Sequence, residues 1–439
     1  MKKFLFILII SFPAFLFAVK FSLTYENSLY NGIKYFSNTF IPEFSYTNNN
    51  FSFIASMKLS NDGKFLPFYP QFYGDYYIKI KNAGIVITQN NLKIKFGNFE
   101  NYDVIDSPYS LFISSLGHSK PEVSIKYEDS NFLYESRYIL VTYNKNGFID
   151  KGVNLKYYAI KIHNFTFGFE EAAVYVHRIF DFEYFSNPLP NFFIQIYRIN
   201  SIYGNSFNDN SLMGGFAKYK SKYYNLYGQI LIDDFNANRF FNPEHNTVDK
   251  IAWSFGSTLM FKKINLKLFH AGATKYTYQP SSVDESSNAF YYGYTYYNTL
   301  ELNNFPIDYQ DIYIGYKYGE NNLAFMVEAE YIDKIKLNTA VELVISGTKS
   351  PINPWTDKDT FNPNFNLLNE PKLEKSVFLY FSVLKKFDII SLGFNSKIGK
   401  IFNVLKKVDA NDANGLPYFA PSNEQKNILE LSVLFKIEI

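Results

Sequence analysis

The C-terminal run from Leu429 to Ile439 alternates residue by residue. Leu429, Leu431, Val433, Phe435, Ile437 and Ile439 share one parity, and Glu430, Ser432, Lys436 and Glu438 share the other. Successive side chains of a β-strand point to opposite faces, so this pattern encodes a strand with one apolar and one wet side. The same period recurs at INLKLFHA (264–271), NLAFMVEAEY (322–331) and KIKLNTAVELVI (334–345). In the second of these, Leu323, Phe325, Val327, Ala329 and Tyr331 oppose Ala324, Met326, Glu328 and Glu330. Residues 19–90 show no helical period and read as further strands, including FSLTY, TFIPEFSY and FSFIASMKL.

The spacing of turns narrows the fold. Asn90-Asn91, Ser221-Lys222, Lys262-Lys263, Asp333-Lys334 and Lys385-Lys386 each sit between alternating runs and read as tight hairpins. Other connections, 234–248, 273–288, 346–375 and 404–426, are long and polar. Short turns at one end and long loops at the other is the pattern of a transmembrane barrel, with the short turns periplasmic and the long loops extracellular. Placing the hairpins inside puts the long segments outside, provided 289–302 descends and 309–318 ascends as strands. The segments Ser115 to Pro121 and His163-Asn164 fit either side. The expected fold is all-β, a transmembrane antiparallel β-barrel of about 18 strands within a range of roughly 16–22.

Composition agrees with a wall between lipid and water. Aromatic residues make up 20% of the chain, with 38 Tyr and 47 Phe, while charged residues make up 19%. A soluble domain averages about 25% charged residues. Residues 1–18, MKKFLFILIISFPAFLFA, have the basic start, short apolar stretch and terminal small residue of a secretory signal peptide. A single barrel domain is therefore expected over 19–439, in the outer membrane of a diderm bacterium. Its expected partners are outer-membrane lipid and the outer-membrane insertion machinery. A net charge of +2 with dispersed lysines gives no electrostatic footprint for nucleic acid. There is no cysteine, which excludes thiolate metal sites and disulfides.

The stretch YNLYGQILIDDF (224–235) runs from rings and aliphatics into two carboxylates. As a spanning strand it sends Leu226, Gly228, Ile230 and Ile232 to lipid and Tyr227 and Gln229 to the lumen. Asp233 and Asp234 then fall at the outer boundary, where both are expected to be hydrated.

This stretch and KIKFGNFENYDVIDSPYSLFISSLGHSKPEVSIKY (93–127), taken in order, resemble the capsule-assembly Wzi-like family of outer-membrane barrels. The matching positions are Ser110, Leu111, Ser114 and Pro121 in the first segment. In the second they are Tyr227, Gly228, Gln229, Asp233 and Asp234. The resemblance implies a barrel of about eighteen strands that holds or organises polysaccharide at the cell surface. The chain departs from the family in lacking a helical period before residue 90 and in ending on Ile439 rather than an aromatic residue.

Motifs for chemistry are sparse. The five histidines, His118, His163, His177, His245 and His270, stand in no metal-ligand spacing, and no GxSxG elbow occurs. DANDANG (409–415) lacks EF-hand spacing. The sequence thus points to a non-enzymatic protein without cofactor or metal. Saccharides present apolar C–H faces to aromatic rings and hydroxyls to amides and carboxylates. Asn353, Trp355, Asp357, Tyr276 and Tyr278, in predicted outer loops, are the candidate saccharide-binding residues. The function expected is binding, anchoring or organising surface polysaccharide. The alternative is a porin for small solutes, with a lumen lined by Lys267, Lys336, Glu328 and Glu342.

Overall fold

The structure, a computed structural model, describes residues 19–30, 36–63, 71–144, 149–199, 209–234, 248–279, 292–297, 307–351, 365–408 and 417–439. Eighteen long strands follow one another around a closed antiparallel barrel. They are β1 (Val19–Tyr30), β2 (Ser37–Asn48), β3 (Phe51–Ser60), β4 (Tyr76–Gln89), β5 (Leu92–Glu100) and β6 (Ser119–Glu128). The wall continues with β7 (Phe132–Thr142), β8 (Lys151–Ile162), β9 (Phe165–Val176), β10 (Asn210–Lys220), β11 (Tyr224–Asp234) and β12 (Lys250–Phe261). It ends with β13 (Ile264–Ala273), β14 (Asn322–Ile332), β15 (Ile335–Ser346), β16 (Glu374–Phe387), β17 (Ile390–Phe402) and β18 (Gln425–Glu438). Each strand pairs with its neighbours in sequence, and β1 closes the ring by pairing with both β2 and β18. Closure satisfies every edge, the condition for placing strands in a hydrocarbon layer.

The alternation read from the sequence is the alternation of the wall. Leu226 and Ile230, Leu266 and Leu268, Phe325 and Val327, Val341 and Leu343, and Leu429 and Val433 are exposed on the outside. Gln229, Phe269, Met326, Glu342 and Ser432 are buried inside. The expected hairpins at 90–91, 221–222, 262–263 and 333–334 all lie at one end, with both termini of the barrel. His163-Asn164 joins β8 to β9 at that end too, and 101–118 lies at the opposite, long-loop end. Two expectations are corrected. Lys385 and Lys386 belong to β16, which runs on to Phe387, and the turn is Asp388-Ile389 with Asp388 at φ 43°. The described residues of 289–302, and 309–318, form no strand of the wall. β13 pairs directly with β14, and the described residues between them include a short bridge at Thr295–Tyr313 and a helical turn at Tyr309–Ile312.

Candidate functional site: a tyrosine plug in the lumen

A barrel of 16–18 strands is wide enough for an aqueous channel. Here two long loops fold back into it. From 101–118 come Tyr109, Leu111, Phe112 and Ile113, and from 274–321 come Tyr278, Tyr294, Ile312, Tyr313, Ile314, Tyr316 and Tyr318. All are buried in one apolar cluster that reaches the inner faces of β7–β15. Burying an aliphatic or Phe side chain of this kind contributes roughly 1.5–3 kcal/mol. The tyrosines add ring-on-ring geometry and a polar tip that needs a partner. Tyr109 meets Tyr316 edge-on at 5.9 Å, and Tyr278 stacks on Tyr294 at 6.0 Å.

The hydroxyls tie the two loops together. Tyr278 donates to the Leu111 carbonyl at 3.1 Å, and Tyr294 to the Phe112 carbonyl at 2.6 Å. The Ser114 amide donates to the Ile314 carbonyl at 2.7 Å. Tyr109 donates to Glu342 on the inner wall at 2.9 Å, and Lys317 and Tyr380 approach the same carboxylate at 3.0 and 2.6 Å. Asp103 organises the first loop from within. Its carboxylate accepts the amides of Ile105, Phe112 and Ile113 at 3.1, 2.9 and 3.1 Å. Burial pushes this carboxyl above its ordinary range, and those three donors and Gln229 pull it back.

The two segments singled out in the sequence meet here. The Leu111 amide donates to Gln229 Oε1 at 3.0 Å, while Gln229 Nε2 donates to Glu170 at 2.7 Å and to Asp103 at 3.2 Å. Tyr227 makes a short hydroxyl contact with Ser107 and a second with Ser254 at 3.0 Å. Ser110 bonds the Ile113 carbonyl at 2.7 Å, closing its own turn. Pro121 sits in β6 opposite Asn98, and Gly228 faces outward beside Phe255. Asp233 overturns its expectation of hydration. It points inward, its carboxylate accepts the Tyr278 amide at 2.8 Å, and Lys250 stands 3.3 Å away with both side chains fully buried. The backbone of Asp234 pairs with Lys250 after a bulge, and its side chain lies outside the described residues.

The candidate saccharide residues divide. Tyr276 and Tyr278 are buried at positive φ, 73° and 75°, so their rings are not offered on an exposed loop; this corrects their placement. Asn353, Trp355 and Asp357 lie outside the described residues. The root of their loop is described, and it is fastened to the plug. Lys349 Nζ donates to the Tyr318 carbonyl at 2.8 Å, and the Ser350 amide to Glu320 at 2.6 Å. Glu320 also accepts the Tyr276 amide at 2.5 Å and the Gln279 side chain at 2.8 Å. Sequence reasoning missed this hub, because Glu320 in KYGENN carries no local signal of burial.

Beneath the plug the lumen retains a cavity. A cavity of about 560 Å³ is lined by Lys218, Tyr227, Lys267, Phe269 and Glu328, with Ser107 and Pro108 of the plug as its roof. Lys267 pairs with Glu328 at 2.7 Å and Glu330 at 3.2 Å, so part of its charge is neutralised by the wall. Among the described residues no cluster of His, Asp and Glu forms a metal site.

No protein-family model matches the chain, and no curated protein matches it in sequence. Solved structures do match in fold. Wzi from Escherichia coli, an outer membrane protein involved in group 1 capsule assembly and a carbohydrate-binding β-barrel, is 11% identical with a TM-score of 0.55; the match covers 95% of this chain and 84% of that one. OccD3 (OpdP) from Pseudomonas aeruginosa is 12% identical with a TM-score of 0.47, covering 96% of this chain and 91% of that one. OprD from the same organism is 8% identical with a TM-score of 0.48, covering 96% and 94%. The chain has the architecture of an outer-membrane β-barrel, with eighteen strands and a plug made from its own loops.

Proposed function

We propose that this protein is a non-enzymatic barrel of the outer membrane, delivered there by the insertion machinery, that binds, anchors or organises surface polysaccharide. The observation that carries this reading is the plug. A porin keeps a water-filled lumen, whereas here interlocked tyrosines from two loops occupy the long-loop half of the barrel. A filled lumen gives up conduction and gains a rigid platform, and rigid platforms hold binding loops with little ordering cost. The loop carrying Asn353, Trp355 and Asp357 is rooted on that platform through Lys349 and Ser350. The fold likeness to a carbohydrate-binding barrel supports the same reading. In it Trp355 supplies a stacking ring, Asn353 and Asp357 bond hydroxyls, and Tyr276 and Tyr278 act from below by holding the platform.

Two measurements test it. In planar bilayers the purified protein should stay silent, and stable large conductance steps would replace this reading with the porin. On a glycan array, binding should fall in the Trp355→Ala and Asp357→Asn variants, and unchanged binding in both would remove the loop site.

A further inference from the structure

Residues 177–199 include two helices, α1 (Phe182–Ser186) and α2 (Asn191–Ile199), in the connection from β9 to β10. Their contacts lie on the outside of the barrel. In β9, Phe165, Phe167 and Phe169 are exposed to the surroundings, and the same parity continues to Glu171, Ala173 and Tyr175, which are buried. In β8 the exposed Ile160 and Ile162 are followed on their face by Lys156 and Asn154, also buried. What covers this outer face is the 177–199 segment. Lys156 Nζ donates to the carbonyls of Asn187 and Leu189 at 2.7 and 2.5 Å. Glu171 accepts the Asn191 amide at 2.6 Å, and Ser136 donates to the Phe185 carbonyl at 2.8 Å. Tyr138, Ala173, Tyr175, Tyr184 and Ile194 form an apolar cluster of their own, separate from the lumen core.

The height of this patch follows from the hairpins. Lys156 stands seven residues from His163, and Glu171 seven from Asn164. Val341 stands seven from Lys334 on another hairpin and is 45% exposed on the apolar outer face. Seven residues of a strand tilted by about 40° climb roughly 18 Å, inside the apolar band of about 25 Å. Bare, this part of the wall would present a lysine and a glutamate where the rest presents Val and Leu.

The helix α2 is turned inside out. Its polar residues Asn191, Gln195 and Arg198 face the barrel and are buried with Ile194, a spacing that makes one helical stripe. Its aromatic residues face away from the protein: Phe193 is 59% and Tyr197 69% exposed, and Phe182 of α1 is 70% exposed. The inner charges are paired, with Arg198 on Asp181 at 2.7 and 2.8 Å and Arg178 on Asp181 and Asp209 at 2.8 and 2.5 Å. A helix with this polarity is suited to an apolar solvent. Tyr158 stands between the strap and the exposed Phe165, Phe167 and Phe169, its hydroxyl donating to the Pro188 carbonyl at 3.1 Å and its ring 6.1 Å from that of Phe169.

We propose that 177–199 is a strap on the outer wall of the barrel, immersed in the acyl chains of the lipid leaflet at the long-loop end, where it replaces the missing apolar belt of β7–β9. The proposal rests on the barrel fold and not on saccharide binding. The chain has no cysteine, so single-cysteine variants can carry a fluorophore and be read in phospholipid vesicles containing nitroxide-labelled lipid. Phe193→Cys and Tyr197→Cys should be quenched as strongly as Val341→Cys on the bare wall, with blue-shifted emission. Lys372→Cys, exposed at the long-loop end, should be spared. Strap positions that behave like Lys372→Cys overturn the proposal. So does a Phe193→Cys label shielded from nitroxide lipid and cross-linking to a second copy, which would make the face a protein interface. Loss of quenching at Val341→Cys would instead sink the membrane barrel itself.

Discussion

The Leu111 amide and the Gln229 side chain meet at 3.0 Å across 118 residues of sequence. That one bond joins a loop that fills the lumen to the wall that surrounds it. Gln229 suits the position because an amide accepts and donates at once. Its oxygen takes the loop amide while its nitrogen lies between the buried carboxylates of Glu170 and Asp103. A Gln229→Ala substitution removes both functions and leaves Leu111 and Glu170 without these partners. Each unsatisfied buried group costs about 1–3 kcal/mol. The expected outcome is an intact barrel with a loosened plug, read as new conductance and faster proteolysis within 101–118. A variant as silent and as protease-resistant as the parent would remove Gln229 from this role.

Gly315 lies where the two plug loops meet. A Cβ there would lie 2.4 Å from the Leu111 carbonyl oxygen and 2.7 Å from the Tyr278 ring. Backbone gives way less easily than a side-chain tip, so Gly315→Ala should push 274–321 away from 101–118. Overpacking of this kind typically costs about 1–3 kcal/mol. A lower unfolding midpoint and increased hydrogen exchange at Ser114, whose amide bonds Ile314, would confirm the contact. Unchanged exchange at Ser114 would refute it.

These contacts explain what could be read in advance. The wall was legible because lipid imposes a strict period of two on each spanning strand, as in 322–331 and 335–345. The plug was not. AFYYGYTYYNTLEL also carries aromatic residues at short intervals, but there the rings pack on one another inside the lumen, at Tyr294, Tyr296 and Tyr297. Apolar density without a clean polar face marks enclosure rather than a half-exposed strand, and that distinction separates 289–302 from 264–271. Asp233 misled for a related reason. Near the end of a strand a carboxylate is normally wet, and partners distant in sequence, Lys250 and the Tyr278 amide among them, make its burial tolerable. The 226–235 motif was informative all the same, since Tyr227, Gln229 and Asp233 each hold a piece of the plug.

Lys349 gives the platform a pH dependence. Burial pulls its ammonium down to about 8, with Glu320, Glu374 and Glu370 opposing the shift. In the unfolded chain the group holds its proton to about 10.4. Between those values the unfolded state binds more protons, so this lysine makes stability rise with pH from about 8 to about 10. The unfolding midpoint of the parent should therefore gain on that of Lys349→Met across this window, because the variant lacks the titrating group. A constant difference between the two would show that Lys349 is not neutralised in the folded protein.

Lys156 and Glu171 are directly opposed in the β8–β9 ladder, on the outer face beneath the strap. Each also holds backbone groups of the strap, so neither is an ordinary surface charge. Removing one of two facing buried charges leaves the other less compensated, whereas replacing both with neutral groups of similar volume is often far milder. Lys156→Met alone should therefore detach the strap, exposing 177–199 to protease and lowering the unfolding midpoint. Glu171→Gln alone leaves the lysine facing the apolar layer and should act in the same direction. The double variant should recover much of the loss, giving a favourable coupling between the sites in a double-mutant cycle. Strict additivity would mean that the two charges do not see each other, and that contacts such as Ser136 on the Phe185 carbonyl and the apolar cluster around Tyr184 and Ile194 hold the strap.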